Sequence, residues 1–186
     1  MNSPTGSVTY FEDAGLNGNI HGFDLPSLEK DMTEISRLFL DESRRYLCVV
    51  YLADIERAVA PLTDEQVWWR PNEDANSIGN LVLHLTGNVR QWIVGGVGKL
   101  PNERHRQQEF DQRQVIARGE LLARLRRVIE EADAVLSGLD EANLHEHRTI
   151  QGSDLTVAGA IYHVVEHFSG HTGQILWIAK SMVGKL

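Results

Sequence analysis

Apolar residues recur every three to four positions in four separate stretches of the chain, which is the spacing of one helix face. The first stretch runs from about residue 27 to residue 60 and stops at Pro61. Its periodic apolar positions are Ile35, Leu38, Phe39, Tyr46, Val49, Val50 and Ala53. No segment alternates with period two for long. The pattern therefore predicts an all-α protein, a four-helix bundle with at least one long connection.

The other three helices have recognisable ends. The second begins after the N-cap candidates Asn76 and Ser77 and is expected to stop at the glycines 95, 96 and 98. The third is predicted over 118–137 and the fourth over about 156–182. Residues 99–113 are charged and predict an irregular crossover or a short helix, and residues 140–153 predict a polar connection. Trp68 and Trp69, before the second helix, are expected to fill the core.

The first 24 residues have loop composition and predict an N-terminal arm, with residues 25–186 as a single bundle domain. The arm carries Tyr10, Phe11 and Phe23, which we expect to dock on the bundle or on a neighbouring subunit.

Composition narrows the class of protein further. The chain has 186 residues, 42% of them hydrophobic, which fits a single hydrophobic core. Its formal charge of −8 argues against a surface that binds nucleic acid. The lone Cys48 cannot form an internal disulfide, and no apolar run reaches the roughly 18 residues of a membrane span. The polar, acidic start is unlike a signal peptide. We expect a cytoplasmic protein that binds neither nucleic acid nor membranes.

Three histidines in the fourth stretch are the strongest chemical signal. His163, His167 and His171 are four residues apart and lie on one helix ridge, where neutral imidazoles can share a divalent ion. The alternative is that they are ordinary surface or core histidines. Gly170 and Gly173 interrupt the same helix, and they either permit close helix packing or leave room for a ligand.

The second helix carries a polar ridge of its own. Asn76, Asn80, His84 and Asn88 recur every four residues, and Gln91 lies close to the same direction. The ridge is either a solvated edge or the other half of a metal site, in which case His84 brings a third imidazole. The chain has no Glu-x-x-His pair, no His-Glu-x-x-His, no phosphate loop and no Gly-x-Ser-x-Gly, so di-iron, zincin, nucleotide and serine-hydrolase chemistry are not indicated.

Two segments resemble the DinB-like superfamily, which includes the YfiT-type proteins and bacterial thiol-dependent transferases. They are Asn76-Ser-Ile-Gly-Asn80-Leu-Val-Leu-His84-Leu-Thr-Gly-Asn88 and Tyr162-His-Val-Val-Glu-His167-Phe-Ser-Gly-His171-Thr-Gly-Gln174-Ile, and Trp69-Arg-Pro71 also fits. The resemblance spans about residues 33–180. It implies an up-down-down-up bundle with a long crossover, commonly dimeric, in which His84, His167 and His171 hold the metal. His163, one turn earlier, would be an acid/base or orienting residue.

The resemblance also implies a function. We expect a metal-dependent thiol transferase or hydrolase that uses one divalent ion, zinc or nickel first and iron or copper next, to activate water or a thiolate. The expected partners are a small-molecule substrate, such as a low-molecular-weight thiol, and a second copy of the chain. Asn80, Asn88, Gln91 and Gln174 would line the pocket. The alternative is a non-catalytic, metal-stabilised module for stress-response binding or dimerisation.

Overall fold

The computed structural model describes residues 25–186. The first bundle helix is one continuous rod made of α1 (Leu25–Arg45), a π-helical segment (Tyr46–Tyr51) and α2 (Leu52–Val59). After the short α3 (Asp64–Val67), the second rod joins α4 (Ile78–Val89) to a π-helical segment (Arg90–Val97). The rest of the chain forms α5 (Arg106–Asp111), α6 (Arg118–Ser137), a 3₁₀ turn (Glu141–His145), β1 (His147–Ile150), β2 (Ser153–Thr156) and α7 (Val157–Val183). The predicted arm with Tyr10, Phe11 and Phe23 lies outside the described residues.

Ion pairs show how the rods run. Arg44 binds Asp133 at 2.7 Å and Arg126 binds Glu56 at 2.6 Å, so the first rod is antiparallel to α6. In contrast, α4 and its π-helical continuation run parallel with α6, because the contacts advance together along both helices, from Arg90–Glu131 to Gly98–Val135. Parallel neighbours need a long connection, which residues 99–117 provide.

The fourth helix completes the order. Leu81 and Ile178 line one cleft, and His84 and Trp92 meet His167 and His163, respectively. In these pairs the residue numbers decrease along α7 as they increase along the second rod, so α7 and the second rod are antiparallel. The all-α, up-down-down-up prediction is therefore correct. Among residues 25–186, no helix is both long enough and apolar enough to cross a membrane.

The local signals at the start of α4 act as predicted. Ser77 is the N-cap, and its hydroxyl accepts a hydrogen bond from the Asn80 backbone N–H at 3.1 Å. Trp68 is buried and its Nε1 donates to the carbonyl of Ile116 at 2.9 Å, which ties the crossover to the start of the second rod. Trp69 is 47% exposed, so its predicted place in the core is wrong.

Most of the predicted apolar face of the first helix is exposed, although Phe39 packs against the core. Ile35 and Val49 are 66% and 61% exposed, whereas the core receives Leu40, Leu47 and Ile55. Leu47 and Ile55 are eight residues apart, and eight residues of α-helix turn about 80° past two full turns. The π-helical segment between them takes up one extra residue and returns Ile55 to the buried side. A search for a constant 3.6-residue period cannot detect that change.

A β-hairpin replaces part of the predicted polar connection. Ile150 pairs with Ser153, and Gln151 and Gly152 between them both have positive φ, at 54° and 79°, as in a type I′ turn. The Ile150 side chain is buried against Gly96, where a Cβ would collide with it. The second rod thus runs through Gly95 and Gly96 and ends at Val97, with Gly98 as its C-cap, so only the last of the three predicted glycines ends the helix. Gly96 makes room for the hairpin.

Alanine substitutions on the first rod test the buried face. We expect Ile55→Ala to lower the free energy of unfolding by about 2–5 kcal/mol, since it leaves a cavity in a close-packed core. The matched Ile35→Ala, on the exposed face, should change it by less than about 0.5 kcal/mol. Urea unfolding followed by circular dichroism measures both. Equal losses would contradict the orientation of the rod.

Candidate metal centre

Three histidines converge between α4 and α7. His84 comes from α4, and His167 and His171 come from successive turns of α7. One ring nitrogen from each lies within 4.8 Å of the others, and Nε2 of His84 is 2.9 Å from Nε2 of His167. His84 is 3% exposed, while the other two are half-buried. The structure thus brings together the three residues that the sequence singled out, close enough to bind one metal ion.

Hydrogen bonds set the direction in which two of the rings face. Nδ1 of His84 lies 2.9 Å from Oε2 of Glu109, and Nδ1 of His171 lies 2.8 Å from Oε1 of Gln174. Both partners are acceptors, so each Nδ1 carries the proton and donates it. Nε2 of both rings then carries no proton and has a lone pair that can bind a metal; on His84 this nitrogen faces Nε2 of His167.

The surroundings keep His167 and His171 uncharged. Burial, and then the neighbouring His171, His84 and His163 and the Arg104 guanidinium, lower the pKa of His167 to about 3. Burial also lowers the pKa of His171, although its hydrogen bond with Gln174 opposes the shift. Both rings are therefore neutral at pH 7, and neutral imidazole is the ligand that zinc, nickel, copper and iron accept. The donor set fits a divalent transition ion.

The crossover supplies two residues that the sequence reading missed. Arg104 and Glu109 have side chains only 5% and 11% exposed, and their shortest contact is 2.7 Å, from Nε of Arg104 to Oε1 of Glu109. Burial raises the pKa of Glu109, but hydrogen bonds from Arg104 and His84 outweigh it and lower the pKa overall. Glu109 is thus a carboxylate held directly against a histidine of the cluster.

One signal of this contact was present in the sequence. Asn80, His84 and Gly87 are spaced four and three apart, so they lie on one face of α4. All three face the crossover: the Asn80 amide donates to the carbonyl of Glu109 at 2.8 Å, and Gly87 lies beneath the ion pair. A glycine in a helix interior next to a candidate ligand indicates a close neighbour, although it does not say which residue that neighbour is.

The four residues predicted to line the pocket have different environments. Asn80 is fully buried, and its amide oxygen accepts from Ser77 and from Arg70. It holds the crossover and has no free group for a ligand. Gln91 accepts from Arg104 at 2.9 Å, two contacts away from His84. Gln174 is exposed and holds His171.

Asn88 is the most unusual of these four. It lies one turn beyond His84 and is 3% exposed, and its Oδ1 has no hydrogen-bond partner among the described residues. A buried acceptor without a partner is rare in a folded protein. Asn88 is therefore a buried, unsatisfied polar group one helical turn from His84.

His163 stands beside the cluster rather than in it. Its ring centroid is 4.2 Å from that of Trp92 and 5.6 Å from that of His167, and it is not a member of the metal-binding group. Trp92 is buried, so His163 is packed on a rigid surface one turn away from His167.

The glycines of α7 border a cleft. A Cβ at Gly170 or Gly173 would have no atom of another segment within 4 Å among the described residues, so these glycines do not serve close helix packing there. They line a cleft of about 540 Å³ together with Leu81, Gln174 and Trp177. None of the three histidines lines this cleft, but Gln174 does, and Gln174 also bonds Nδ1 of His171. The cleft has room for a small molecule next to that contact.

The single cysteine is not an activated thiol. Cys48 is half-buried and its Sγ donates to Asp133 at 3.5 Å. Burial, together with the charge of Asp133, raises its pKa to about 12. The thiol stays protonated at neutral pH, and thiol chemistry would need a thiol from outside the chain.

Comparison with known proteins agrees with this fold. The model of a family described as "Protein of unknown function (DUF1572)" matches residues 34–185. No curated protein matches the chain significantly. A crystal structure of a DinB-like protein from Bacillus cereus is similar with a TM-score of 0.57 and 16% identity, over 72% of this chain and 86% of that one. A conserved protein from Enterococcus faecalis gives a TM-score of 0.59 and 17% identity, over 82% and 98%. At these identities, the two solved structures show the fold.

Metal analysis of purified variants tests the cluster. We expect about one divalent ion per chain in the wild type and less than about a tenth of that in His167→Ala, because two imidazoles hold an ion much more weakly than three. The matched control is His163→Ala, one turn away on the same helix, which should keep the wild-type content. Plasma mass spectrometry after zinc loading and gel filtration measures all three. Equal metal in His167→Ala and the wild type would contradict this centre.

Proposed function

Since the chain belongs to the DUF1572 family and has the fold of DinB-like proteins, we propose that it is a metal-dependent enzyme acting on small molecules. His84, His167 and His171 would hold one divalent ion, with zinc and nickel as the first candidates. The observation that carries the proposal is the number of ligands: in the described chain, three residues converge and no fourth joins them. Three neutral ligands leave coordination positions for a substrate, as in catalytic zinc sites, whereas structural sites are closed by four.

The reaction class follows from what such an ion does. When bound, it supplies a Lewis acid that lowers the pKa of a water or thiol, so that a nucleophile exists at neutral pH. The thiol of Cys48 stays protonated, so the sulfur nucleophile of a thiol-transfer reaction would come from a thiol substrate and not from Cys48. We propose thiol transfer as the reaction and hydrolysis as the second possibility.

The residues around the cluster would bind and orient the substrate. The cleft lined by Gln174 offers the indole of Trp177, which is 70% exposed, and the open surface over Gly170 and Gly173. An apolar or planar part of a substrate would lie there. His163 would take or supply a proton, since its ring is held against Trp92 beside the cluster.

The predicted homodimer stays a prediction. Met32, Ile35, Leu38 and Val49 are all more than half exposed on the first rod, and a second copy that packed there would remove this apolar surface from water.

Turnover with and without a chelator tests the enzyme proposal. Zinc- or nickel-loaded protein is assayed with panels of thiol-conjugation and of ester and amide hydrolysis substrates. We expect an activity that chelation abolishes and that His171→Ala lowers at least about a hundredfold. His145→Ala, at an exposed histidine outside the cluster, is the matched control and should keep it. A metal-loaded protein with no turnover in any panel would favour the non-catalytic module instead.

The cleft can be tested separately from the metal. Gly173→Leu would fill part of this cleft, and because Gly is a poor helix former, the substitution should not destabilise α7. We expect unchanged metal content and a KM raised about tenfold or more, or no measurable saturation. Gly119→Leu, at another open helical glycine, is the control. An unchanged KM would show that the substrate does not use this cleft.

A further inference from the structure

We infer that Glu109 is a positioning residue, held by Arg104 and given room by Gly87, which keeps His84 in the orientation and tautomer that bind metal. The inference rests on the proposed metal site and concerns residues that do not touch the ion. It gives the crossover a functional role. Glu109 is 25 residues from His84, so the sequence alone does not reveal that the two side chains are in contact.

The main chain of Glu109 is fixed to α4 first. The amide of Asn80 donates to the Glu109 carbonyl at 2.8 Å and to the Gln112 carbonyl at 3.2 Å. Asn80 itself cannot turn, because its oxygen takes part in the N-terminal cap of α4 with Ser77. The same helix that carries His84 therefore also sets where the Glu109 backbone lies.

The carboxylate is fixed next. Arg104 donates from Nε to Oε1 of Glu109 at 2.7 Å and from Nη2 to Oε2 at 2.8 Å, a two-point contact that leaves the carboxylate one orientation. Nη1 of Arg104 donates to Oε1 of Gln91 at 2.9 Å, so the guanidinium is anchored to the second rod as well. In this orientation, Oε2 lies 2.9 Å from Nδ1 of His84.

The negative charge of Glu109 decides which nitrogen of His84 carries the proton. Nη2 of Arg104 is itself 3.1 Å from Nδ1 of His84, and a guanidinium can only donate hydrogen bonds. With the carboxylate present, Nδ1 donates to Oε2, and Nε2 turns an unshared pair towards His167. If the carboxylate became an uncharged amide, Nδ1 would accept from Arg104, and the proton would move to Nε2, where it blocks a metal ligand.

Gly87 makes the arrangement sterically possible. A Cβ at this position would lie 2.8 Å from Nε of Arg104 and 2.9 Å from Cδ of Glu109, and closer still to Oε1. These atoms are locked to each other and to Gln91, so they could not yield without breaking the contact with His84. The need for this space accounts for a glycine at position 87 in the interior of α4.

Two measurements on full-length protein test the inference. Zinc affinity is measured by competition with a chromogenic chelator, and the tautomer of His84 in metal-free protein is read from its ring ¹⁵N shifts. We expect Glu109→Gln and Gly87→Ala each to weaken zinc binding by about ten- to a hundredfold and to shift His84 to the Nε2–H form. Gly119→Ala, at a helical glycine with open space, should change neither.

The double variant separates positioning from general damage to the fold. If Gly87→Ala acts only by displacing the carboxylate, it should cause no further loss of zinc affinity in the Glu109→Gln background. Losses that multiply in the double variant would overturn the shared mechanism.

The outcomes also distinguish this inference from the proposed function. Wild-type zinc affinity and an unchanged tautomer in Glu109→Gln would overturn the inference and leave the metal proposal standing. A wild type that binds no transition ion, but whose His84 changes tautomer in Glu109→Gln, would overturn the metal proposal and support the positioning role.

Discussion

Three imidazoles that face one another across two helices impose the strictest requirement in this structure. Rings that close together cannot all be charged, and burial lowers the pKa of His167 and His171 further. Each neutral ring still needs a partner for its N–H, since an unpaired polar group is costly in a protein interior. Glu109 accepts a hydrogen bond from Nδ1 of His84, and Gln174 accepts one from Nδ1 of His171. The Nε2 atoms of His84 and His171 then carry no proton, so they can bind an ion.

The up-down-down-up order has a consequence for this cluster. Because α4 and α6 are parallel, the chain must cross the length of the bundle between them, and the crossover passes over the face of α4 that carries Asn80, His84 and Gly87. A simple up-down-up-down bundle has short turns and would leave that face to solvent or to another helix. The long connection thus supplies the buried ion pair of Arg104 and Glu109. Topology and site chemistry are linked at this segment.

Departures from the regular α-helix explain where sequence reading fails. Two π-helical segments, Tyr46–Tyr51 in the first rod and Arg90–Val97 at the end of the second, depart from the regular α-helical period. In the first rod, the extra residue places Ile55 in the core on the same side as Leu47, whereas Ile35, which comes before the π-helical segment, is exposed. In the second rod, the π-helical segment runs past two glycines, and Gly96 accommodates Ile150 from the hairpin.

Local signals alone determined the helical class and the bounds of α6, and they limited the N-cap of α4 to Asn76 or Ser77, because periodicity, propensity and capping act over a few residues. The spacing of His167 and His171 also placed both rings on one side of α7 by helix geometry. The family resemblance also grouped His84 with them, which helix geometry could not do across the 83 residues between His84 and His167. Only the tertiary structure decided that Glu109, 25 residues from His84, holds that ring. Such pairings depend on which helices become neighbours and on where the crossover runs, and no local preference encodes either.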